Sequence, residues 1–176
     1  KRRVPLTIDQ VPDEIKNALI ATEDSNFRYH RGVDPAGIAR AVLHIIREGR
    51  KGPGGSTITM QVARNFFLDR GKPYTRKLKE IMLALKIERE LSKDEILELY
   101  VNKIFLGHRS YGVGAAAQVY YGKPIEQLSL AQMAMIAGLP QRPSQYSPFR
   151  NPELAETRRR YVLGRMRDDA MLTPAQ

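Results

Sequence analysis

The segment Ile20–Gly32, IATEDSNFRYHRG, is the stretch around which we expect the chain to be organised. It places two adjacent carboxylates, Glu23 and Asp24, at the end of an apolar helical pattern, and Phe27 and His30 follow. Whether the helix continues or ends there, a carboxylate, a ring and an imidazole lie close together. A carboxylate beside an aromatic ring is partly desolvated, which suits a general base. The same spacing also fits a helix C-terminus with solvated acids and a core phenylalanine.

Composition bounds the function classes. The chain has 176 residues, enough for one domain with a sizeable core, and 29 Lys and Arg against 19 Asp and Glu give a formal charge of +10. This excess favours a polyanionic partner, such as nucleic acid, pyrophosphate or an anionic membrane surface. The absence of cysteine excludes disulfides and thiolate catalysis, and three scattered histidines argue against a transition-metal site. No apolar run reaches membrane-spanning length.

Helix signals recur along the chain, and no convincing strand or internal repeat is visible, so the sequence predicts a mainly α fold. One helix, which begins at a capping box, is expected to end at Gly107. The last helix carries arginines that are expected to be solvated or to contact lipid headgroups or a neighbouring domain. The predicted helix starts are Pro12, Asp34-Pro35, Ser92 with Glu95, Ser129 with Gln132, and Asn151-Pro152. The arginines are Arg158, Arg159, Arg160, Arg165 and Arg167.

The helix from Asp34 to Arg47 has one apolar side, formed by Ile38, Val42, Ile45 and Ile46. Its pattern favours a core helix, although a helix lying on a membrane surface has the same pattern.

A basic, glycine-rich break, Glu48–Gly55, precedes the next helix. Glycines let the backbone approach a ligand, and Ser56 or Thr57 can cap a helix whose free N–H groups form an anion site. Three polar side chains then recur at i, i+3 and i+4, which suits sugar and phosphate binding but also fits a capped helix with one wet side. They are Gln61, Arg64 and Asn65.

After a predicted loop at Asp69–Tyr74, the longest predicted helix runs from about Thr75 to Leu91 and is apolar on two sides, as expected for a helix that crosses a core. Glu80 lies in one apolar patch, where an acid is costly unless it is paired or used. A structural ion pair with Arg76 at i−4 is one explanation, and Lys77 is the other cation one turn earlier. The apolar sides are Leu78, Ile81, Met82 and Leu85, and Leu83, Ala84, Ile87 and Leu91.

Five segments, in this order, carry a resemblance that covers the chain from about Val4 to Arg167. They are EDSNFRYHRGVD, GGSTITMQVARNFFL, RKLKEIMLALKIE, KDEILELYVNKIFLG and YGVGAAAQVYYGK. Together they resemble the peptidoglycan glycosyltransferase domain, glycosyltransferase family 51, of class A penicillin-binding proteins, with the 1a type of Gram-negative bacteria the most similar. The resemblance implies one domain over residues 1–176, with a lysozyme-like helical head and a smaller membrane-contacting jaw lobe at approximately residues 33–55.

The resemblance also assigns roles to residues. Glu23 corresponds to the general base, and Glu80 to a second catalytic glutamate that orients the site or assists departure of the pyrophosphate. Met60 departs from the glutamine usual at its position. The substrate-binding residues implied are Asp24, Phe27, His30, Ser56, Thr57, Gln61, Arg64, Asn65, Arg76 and Lys77. Cations such as Arg64, Arg76 and Lys77 suit a leaving group that carries negative charge away.

The activity implied by the resemblance is polymerisation of lipid II into β-1,4 glycan strands, with inversion and release of undecaprenyl pyrophosphate, in bacterial cell wall synthesis. The implied location is the periplasmic face of the inner membrane, with an anchoring transmembrane helix and a C-terminal transpeptidase domain outside this chain. The implied partners are lipid II, the growing glycan, the membrane surface and a phosphoglycolipid inhibitor of the moenomycin type. No cofactor is expected, although Mg²⁺ could accompany the pyrophosphate.

Two other functions compete with this one. A lysozyme-like lytic enzyme acting on peptidoglycan would also use carboxylates in a helical cleft. A basic helical module could instead bind nucleic acid, but its cations would gather on one groove-sized face. Here they are spread along the chain between acids, so we expect no nucleic-acid partner.

Overall fold

In the computed structural model, residues 2–49, 54–67 and 73–176 are described, and they form eight α-helices with one pair of very short parallel strands. The mainly α prediction is confirmed. The helices are α1 (Asp13–Glu23), α2 (Pro35–Glu48), α3 (Ile58–Phe67), α4 (Pro73–Glu90), α5 (Lys93–Lys103), α6 (Val113–Tyr121), α7 (Leu130–Ala137) and α8 (Pro152–Asp168). The strands are β1 (Arg2–Arg3) and β2 (Ser110–Tyr111), and 3-10 turns lie at Ile8–Gln10 and Ile125–Gln127.

The chain divides into two compact units. One consists of Lys1–Ser25 and Leu97–Gln176, and the other of Asn26–Ile96. Helix α5 begins in the second unit and ends in the first. The single domain over residues 1–176 and the jaw at residues 33–55 stay predictions. Parts of the glycine-rich break (50–53) and of the loop before α4 (69–72) lie outside the described residues.

The core of the first unit forms where α1 packs against α7 and α8. Ile15 and Leu19 of α1 are fully buried, as are Ile136 of α7 and Val162 of α8. Burying an aliphatic side chain of this size contributes about 1.5–3 kcal/mol relative to exposure, so this contact is a main source of the unit's stability. It also fixes the C-terminal end of α1, where Glu23 lies.

The helix starts predicted from capping residues are confirmed. Asp34 is the N-cap of α2, with proline at its start, and Ser129 and Gln132 form a reciprocal capping box on α7. Ser92 and Glu95 exchange the same pair of hydrogen bonds, at 2.7 and 3.2 Å. The bonds from the Ser92 backbone and side chain hold the pKa of the Glu95 carboxyl below its ordinary value. Local sequence therefore sets where these helices begin.

The predicted end of α5 at Gly107 is wrong, because the helix stops at Lys103. The Ile104 carbonyl accepts a hydrogen bond from the Gly112 N–H at 2.7 Å, which draws the chain back on itself. Gly107 and His108 have φ values of 84° and 45°, in the left-handed region that a right-handed helix cannot include. The turn therefore ends the helix although the sequence between is apolar.

Tyr120 of α6 joins this turn to the core of the first unit. Its hydroxyl donates a hydrogen bond to the Leu106 carbonyl at 2.6 Å, and a Cβ at Gly107 would lie only 2.7 Å from that hydroxyl. Burial raises the pKa of Tyr120 to about 12, and a hydrogen bond with Ser147 opposes part of that rise. The neutral phenol is thus part of the fold.

In the second unit, α2 is not the core helix that its apolar pattern favours, and its assignment to the membrane-contacting jaw stays a prediction. None of its residues, all of which the structure describes, is buried, and Ile46 is 73% exposed. The pattern correctly indicates an amphipathic helix, but amphipathicity does not say what covers the apolar side. The other large exposed apolar residues of α2 are Ile38, Val42, Leu43 and Ile45.

Helix α4 also differs from its prediction. It packs on α3 through one side only, which buries Glu80, Ala84 and Ile87. The stripe predicted to be core is instead exposed at Leu78, Met82 and Leu85. The expectation that α4 crosses a core is therefore wrong, because these side chains remain exposed to solvent. None of the helices among the described residues is long and apolar enough to cross a membrane.

Tyr120→Phe should change how stability depends on alkaline pH. A phenol with a raised folded pKa contributes stability that is complete below the unfolded value near 10 and is lost as pH rises through about 12. We expect the variant to be less stable at pH 8, by about 1 kcal/mol for the lost hydrogen bond, but to lose less stability above pH 10. Urea unfolding at pH 8, 10 and 11.5 measures both effects.

Tyr29→Phe is the matched control, because the Tyr29 side chain is 86% exposed. The control should follow the parent chain at all three pH values. Parallel curves for Tyr120→Phe and the parent above pH 10 would contradict the assignment of a buried neutral phenol.

Candidate active site

A charged cluster in the second unit surrounds the carboxylate of Glu80, which is only 3% exposed. The Lys77 ammonium lies 3.0 Å from its Oε2, and the Arg64 Nε lies 3.9 Å from its Oε1. Lys77 also donates a hydrogen bond to the Ser56 hydroxyl at 2.6 Å. The cluster forms because α3 packs on α4, which brings the polar start of α3 beside the first turns of α4.

The cations of the cluster are partly exposed to solvent. Lys77 and Arg64 are about half exposed, whereas Glu80 is buried. The carboxylate therefore holds the two cations on their protein side, and part of each faces solvent. A cation held in place by a buried partner is preorganised, which strengthens its effect on charge that develops during a reaction. Of the two cations that the sequence offered as partners of Glu80, both of which the structure describes, Lys77 pairs with it and Arg76 does not, and Arg64 is a further cation near its carboxylate.

The start of α3 is capped by Thr57, as one of the two predicted capping residues. The Thr57 hydroxyl accepts a hydrogen bond from the Met60 N–H at 3.1 Å and donates one to the Gly32 carbonyl at 2.7 Å. Gly32 has a φ of 98°, and a Cβ there would lie 2.8 Å from the Ala84 carbonyl oxygen. Glycine at position 32 thus lets the segment after His30 lie directly on α4 and beside the capped end of α3.

Phe27 and His30 are interior residues of the second unit. The Phe27 ring is fully buried, with the Lys93 ammonium 4.6 Å from its centroid, and Lys93 donates a hydrogen bond to the His30 carbonyl at 2.6 Å. The His30 Nδ1 accepts the Gly32 N–H at 3.0 Å, which assigns the proton of a neutral imidazole to Nε2. Their predicted substrate-binding roles stay predictions, as does that of the buried Thr57.

A buried ion pair holds these segments together. Lys93 lies 2.7 Å from Glu88 Oε1, and the Thr59 hydroxyl donates to the same oxygen at 2.7 Å. The Glu88 side chain is 7% exposed, so its charge depends on these partners. Glu88 therefore links α3, α4 and the start of α5, and the sequence reasoning did not single it out.

Three further predicted site residues lie near the surface of the second unit. Asn65 is exposed, and Gln61 and Arg76 are half-buried. Gln61 is on the same helix as Arg64, one turn earlier, as the spacing predicts. Their roles as substrate-binding residues stay predictions.

Glu23 and Asp24 belong to the first unit, at the C-terminal end of α1. The Glu23 side chain is 13% exposed and its Oε1 lies 3.8 Å from Arg158 Nη2. Asp24 is the C-cap of α1 and is buried, and its N–H bonds to the Ile20 carbonyl at 2.9 Å. Because Glu23 and Glu80 fall in different units, their place in one cleft stays a prediction.

Arg158 was expected to be solvated or to contact lipid headgroups or a neighbouring domain, but its side chain is only 12% exposed. It lies at i+3 from the buried Ala155 and at i−4 from the buried Val162. That spacing puts it on the packed side of α8. The signal was present, but the run of three arginines in sequence favoured a solvated surface.

The chain matches a known protein family over most of its length. A family profile with the description Transglycosylase matches residues 1–167. The chain belongs to the transglycosylase family. The resemblance to the glycosyltransferase domain of class A penicillin-binding proteins is therefore confirmed.

The relatives of this transglycosylase are longer proteins. It is 55% identical over its full length to Penicillin-binding protein 1A of Escherichia coli (strain K12), and covers 21% of that protein. It is 56% identical over 94% of its length to Penicillin-binding protein 1A of Pseudomonas aeruginosa, and covers 20% of it. The crystal structure of Penicillin-Binding Protein 1A from Haemophilus influenzae matches with a TM-score of 0.58 at 31% identity, over 99% of this chain and 16% of that one. The chain thus spans about a fifth of these relatives.

Metal binding by this transglycosylase stays a matter of prediction. Within the described ranges, no three His, Asp or Glu side chains gather in a group that could hold a metal ion. The residues that could face a metal-bound pyrophosphate are the cations and hydroxyl around Glu80.

Lys93→Met should destabilise the second unit severely. It leaves Glu88 as a buried, unpaired charge and removes the bond to the His30 carbonyl. We expect the free energy of unfolding to fall by about 3–5 kcal/mol, as for other broken buried pairs. Urea unfolding at pH 7, followed by circular dichroism, measures the loss.

The control for this variant is Arg28→Met. Arg28 pairs with Asp94 at 2.8 Å, but both side chains are largely exposed, so the loss should stay below about 1 kcal/mol. Equal losses for the two variants would show that the pair of Glu88 and Lys93 has no special place in the fold.

Proposed function

We propose that the chain polymerises lipid II into β-1,4 glycan strands and releases undecaprenyl pyrophosphate. In the reaction, the 4-hydroxyl oxygen of the acceptor sugar forms a bond with the anomeric carbon of the donor. The bond from that carbon to the α-linked pyrophosphate breaks, and the pyrophosphate leaves with the bonding electrons. Attack opposite the leaving group inverts the anomeric centre and gives the β linkage.

The observation that carries this proposal is the cation cluster on Glu80. A departing lipid pyrophosphate gains negative charge as its bond breaks. The buried Glu80 carboxylate holds the cations of Lys77 and Arg64 close to the same point. Cations that bind the leaving group more strongly in the transition state than in the ground state lower the barrier. A neutral glycan, the substrate of a lytic enzyme, would need no such group. The cluster therefore supports synthesis over lysis.

Glu23 is the proposed general base, which takes the proton of the acceptor 4-hydroxyl. Withdrawal of its side chain from water disfavours the ionised form, whereas the neighbouring guanidinium favours the ionised form that a base requires. Glu80 is proposed to orient Lys77 and Arg64 toward the leaving group. The other residues that the sequence predicts to bind substrate are proposed to contact the donor, the acceptor or the growing glycan.

The exposed apolar side of α2 supports a location at a membrane. A lipid-linked substrate remains in the bilayer, and a helix with uncovered aliphatic side chains and basic residues opposite can lie at its surface. We therefore propose that the chain acts at the periplasmic face of the inner membrane. A transmembrane anchor and a transpeptidase domain in the longer protein, a Mg²⁺ ion on the pyrophosphate and inhibition by moenomycin-type phosphoglycolipids belong to the same proposal.

Glu23→Gln should abolish polymerisation while lipid II still binds. The amide keeps the shape of the side chain but cannot accept the proton, so we expect turnover to fall by at least about 10²–10⁴-fold. A chain-elongation assay with purified lipid II measures glycan length, and retained binding of a moenomycin-type inhibitor reports an intact site. Near-normal turnover would remove Glu23 from the role of base, and shortening of preformed glycan would favour a lytic enzyme.

Lys77→Ala should lower turnover by about 10²–10³-fold, because it removes a preorganised cation from the leaving group. Glu80→Gln should also be severely impaired, since Lys77 and Arg64 lose their shared carboxylate. Lys79→Ala is the matched control, because Lys79 is an exposed lysine of the same helix. Full activity of Lys77→Ala, or equal losses for Lys77→Ala and Lys79→Ala, would contradict a pyrophosphate site at this cluster.

A further inference from the structure

We infer that Arg158 is the positioning residue of Glu23, which holds the carboxylate ionised and in place for proton transfer. The inference rests on the proposed role of Glu23 as the general base. Arg158 Nη2 lies 3.8 Å from Glu23 Oε1, and the two side chains are only 12% and 13% exposed. At this distance the contact is an ion pair rather than a hydrogen bond, so Arg158 acts mainly by its charge.

Arg158 is held by groups other than Glu23. Its Nε donates a hydrogen bond to the Gly138 carbonyl at 3.2 Å, and its guanidinium carbon lies 5.1 Å from the Tyr146 ring centroid and 4.7 Å from that of Tyr161. A Cβ at Gly138 would lie 2.9 Å from Arg158 Cγ, so only glycine leaves this space for the arginine stem. The Gly138 carbonyl and the two rings thus hold the guanidinium in place independently of the Glu23 carboxylate.

The position of Glu23 explains why a cation is needed. Glu23 is the last residue of α1, and the C-terminal end of a helix carries partial negative charge, which disfavours a carboxylate there. Arg165 of α8 donates a hydrogen bond to the Ala21 carbonyl at 3.2 Å, so two arginines of α8 meet this end of α1. Without them, a nearly buried carboxylate would favour its protonated form, which cannot act as a base.

The elements packed against this end of α1 contribute further charged groups. Helix α1 packs on α7 and α8, and α7 carries no titratable side chain from Leu130 to Ala137. Asp169 pairs with Arg165 at 3.8 Å, so its charge opposes Arg165 first. The titratable groups that these contacts place around this end of α1 are Asp24, Tyr146, Arg158, Tyr161, Arg165 and Asp169.

The test compares Arg158→Ala, Arg158→Lys and Arg160→Ala in lipid II polymerisation from pH 4.5 to 8. We expect Arg158→Ala to move the acidic limb of kcat upward by about one pH unit or more, with little change in KM, because the carboxylate loses its cation. Arg158→Lys retains the charge and should keep the limb near that of the parent. Arg160→Ala is the matched control, since Arg160 is 76% exposed and pairs with Glu156.

A second measurement does not depend on catalysis. The chain is labelled with ¹³C at glutamate carboxyl carbons, and the Glu23 signal is assigned by its loss in Glu23→Gln. Its titration midpoint should rise in Arg158→Ala and stay in place in Arg160→Ala. If the parent chain fails to polymerise lipid II, the proposed function fails, but the midpoint still tests the coupling of the two residues.

Several outcomes would overturn the inference. The acidic limb and the midpoint could be the same in Arg158→Ala as in the parent, or Arg160→Ala could move them as far. A rise in KM with unchanged kcat would instead make Arg158 a substrate-binding residue. If Arg158→Ala does not fold by circular dichroism, Gly138→Ala replaces it. Gly138→Ala displaces the arginine stem without removing its charge, so an unchanged midpoint in Gly138→Ala would also overturn the inference.

Discussion

The cost of removing a carboxylate from water is the constraint on which the site depends. Glu23, Glu80 and Glu88 are each nearly buried, and each lies beside a cation. An unpaired carboxylate at any of these positions would become protonated or destabilise the fold. The pairs therefore influence which groups stay charged, and two of them, Glu23 with Arg158 and Glu88 with Lys93, also join different helices. The cations are Arg158, Lys77 and Lys93, respectively.

These pairs serve different ends because the exposure of their cations differs. Lys93 is mostly buried against Phe27 and holds backbone segments, so its pair with Glu88 has a structural place. Lys77 is about half exposed and can contact a ligand while Glu80 holds it from below. Buried acids thus supply rigidity in one place and an aimed positive charge in the other.

Local signals in the sequence predicted the helix starts and the fold class, because caps and prolines act within one turn of chain. What covers the face of a helix depends on tertiary packing, which the sequence pattern does not show. The apolar patterns of α2 and α4 therefore favour core helices, although both helices leave large side chains exposed. The predicted end of α5 was wrong for the same reason, because the Gly112 N–H donates a hydrogen bond to the Ile104 carbonyl. The residues Glu23, Glu80, Arg64 and Lys77 came from motifs, whereas Arg158 and Glu88 depend on contacts between distant segments that spacing does not show.

Helix α2 has a consequence for the dynamics of the chain. With no buried residue, it lacks the tertiary packing from which most helices in proteins gain stability, and fourteen residues are close to the shortest length at which an isolated helix persists in water. Its amide protons should therefore exchange with solvent much faster than those of α1, whose core side chains are fully buried. An apolar phase that covers this helix supplies the packing that the helix lacks within the chain. The stability of the helix is therefore linked to the medium that surrounds it.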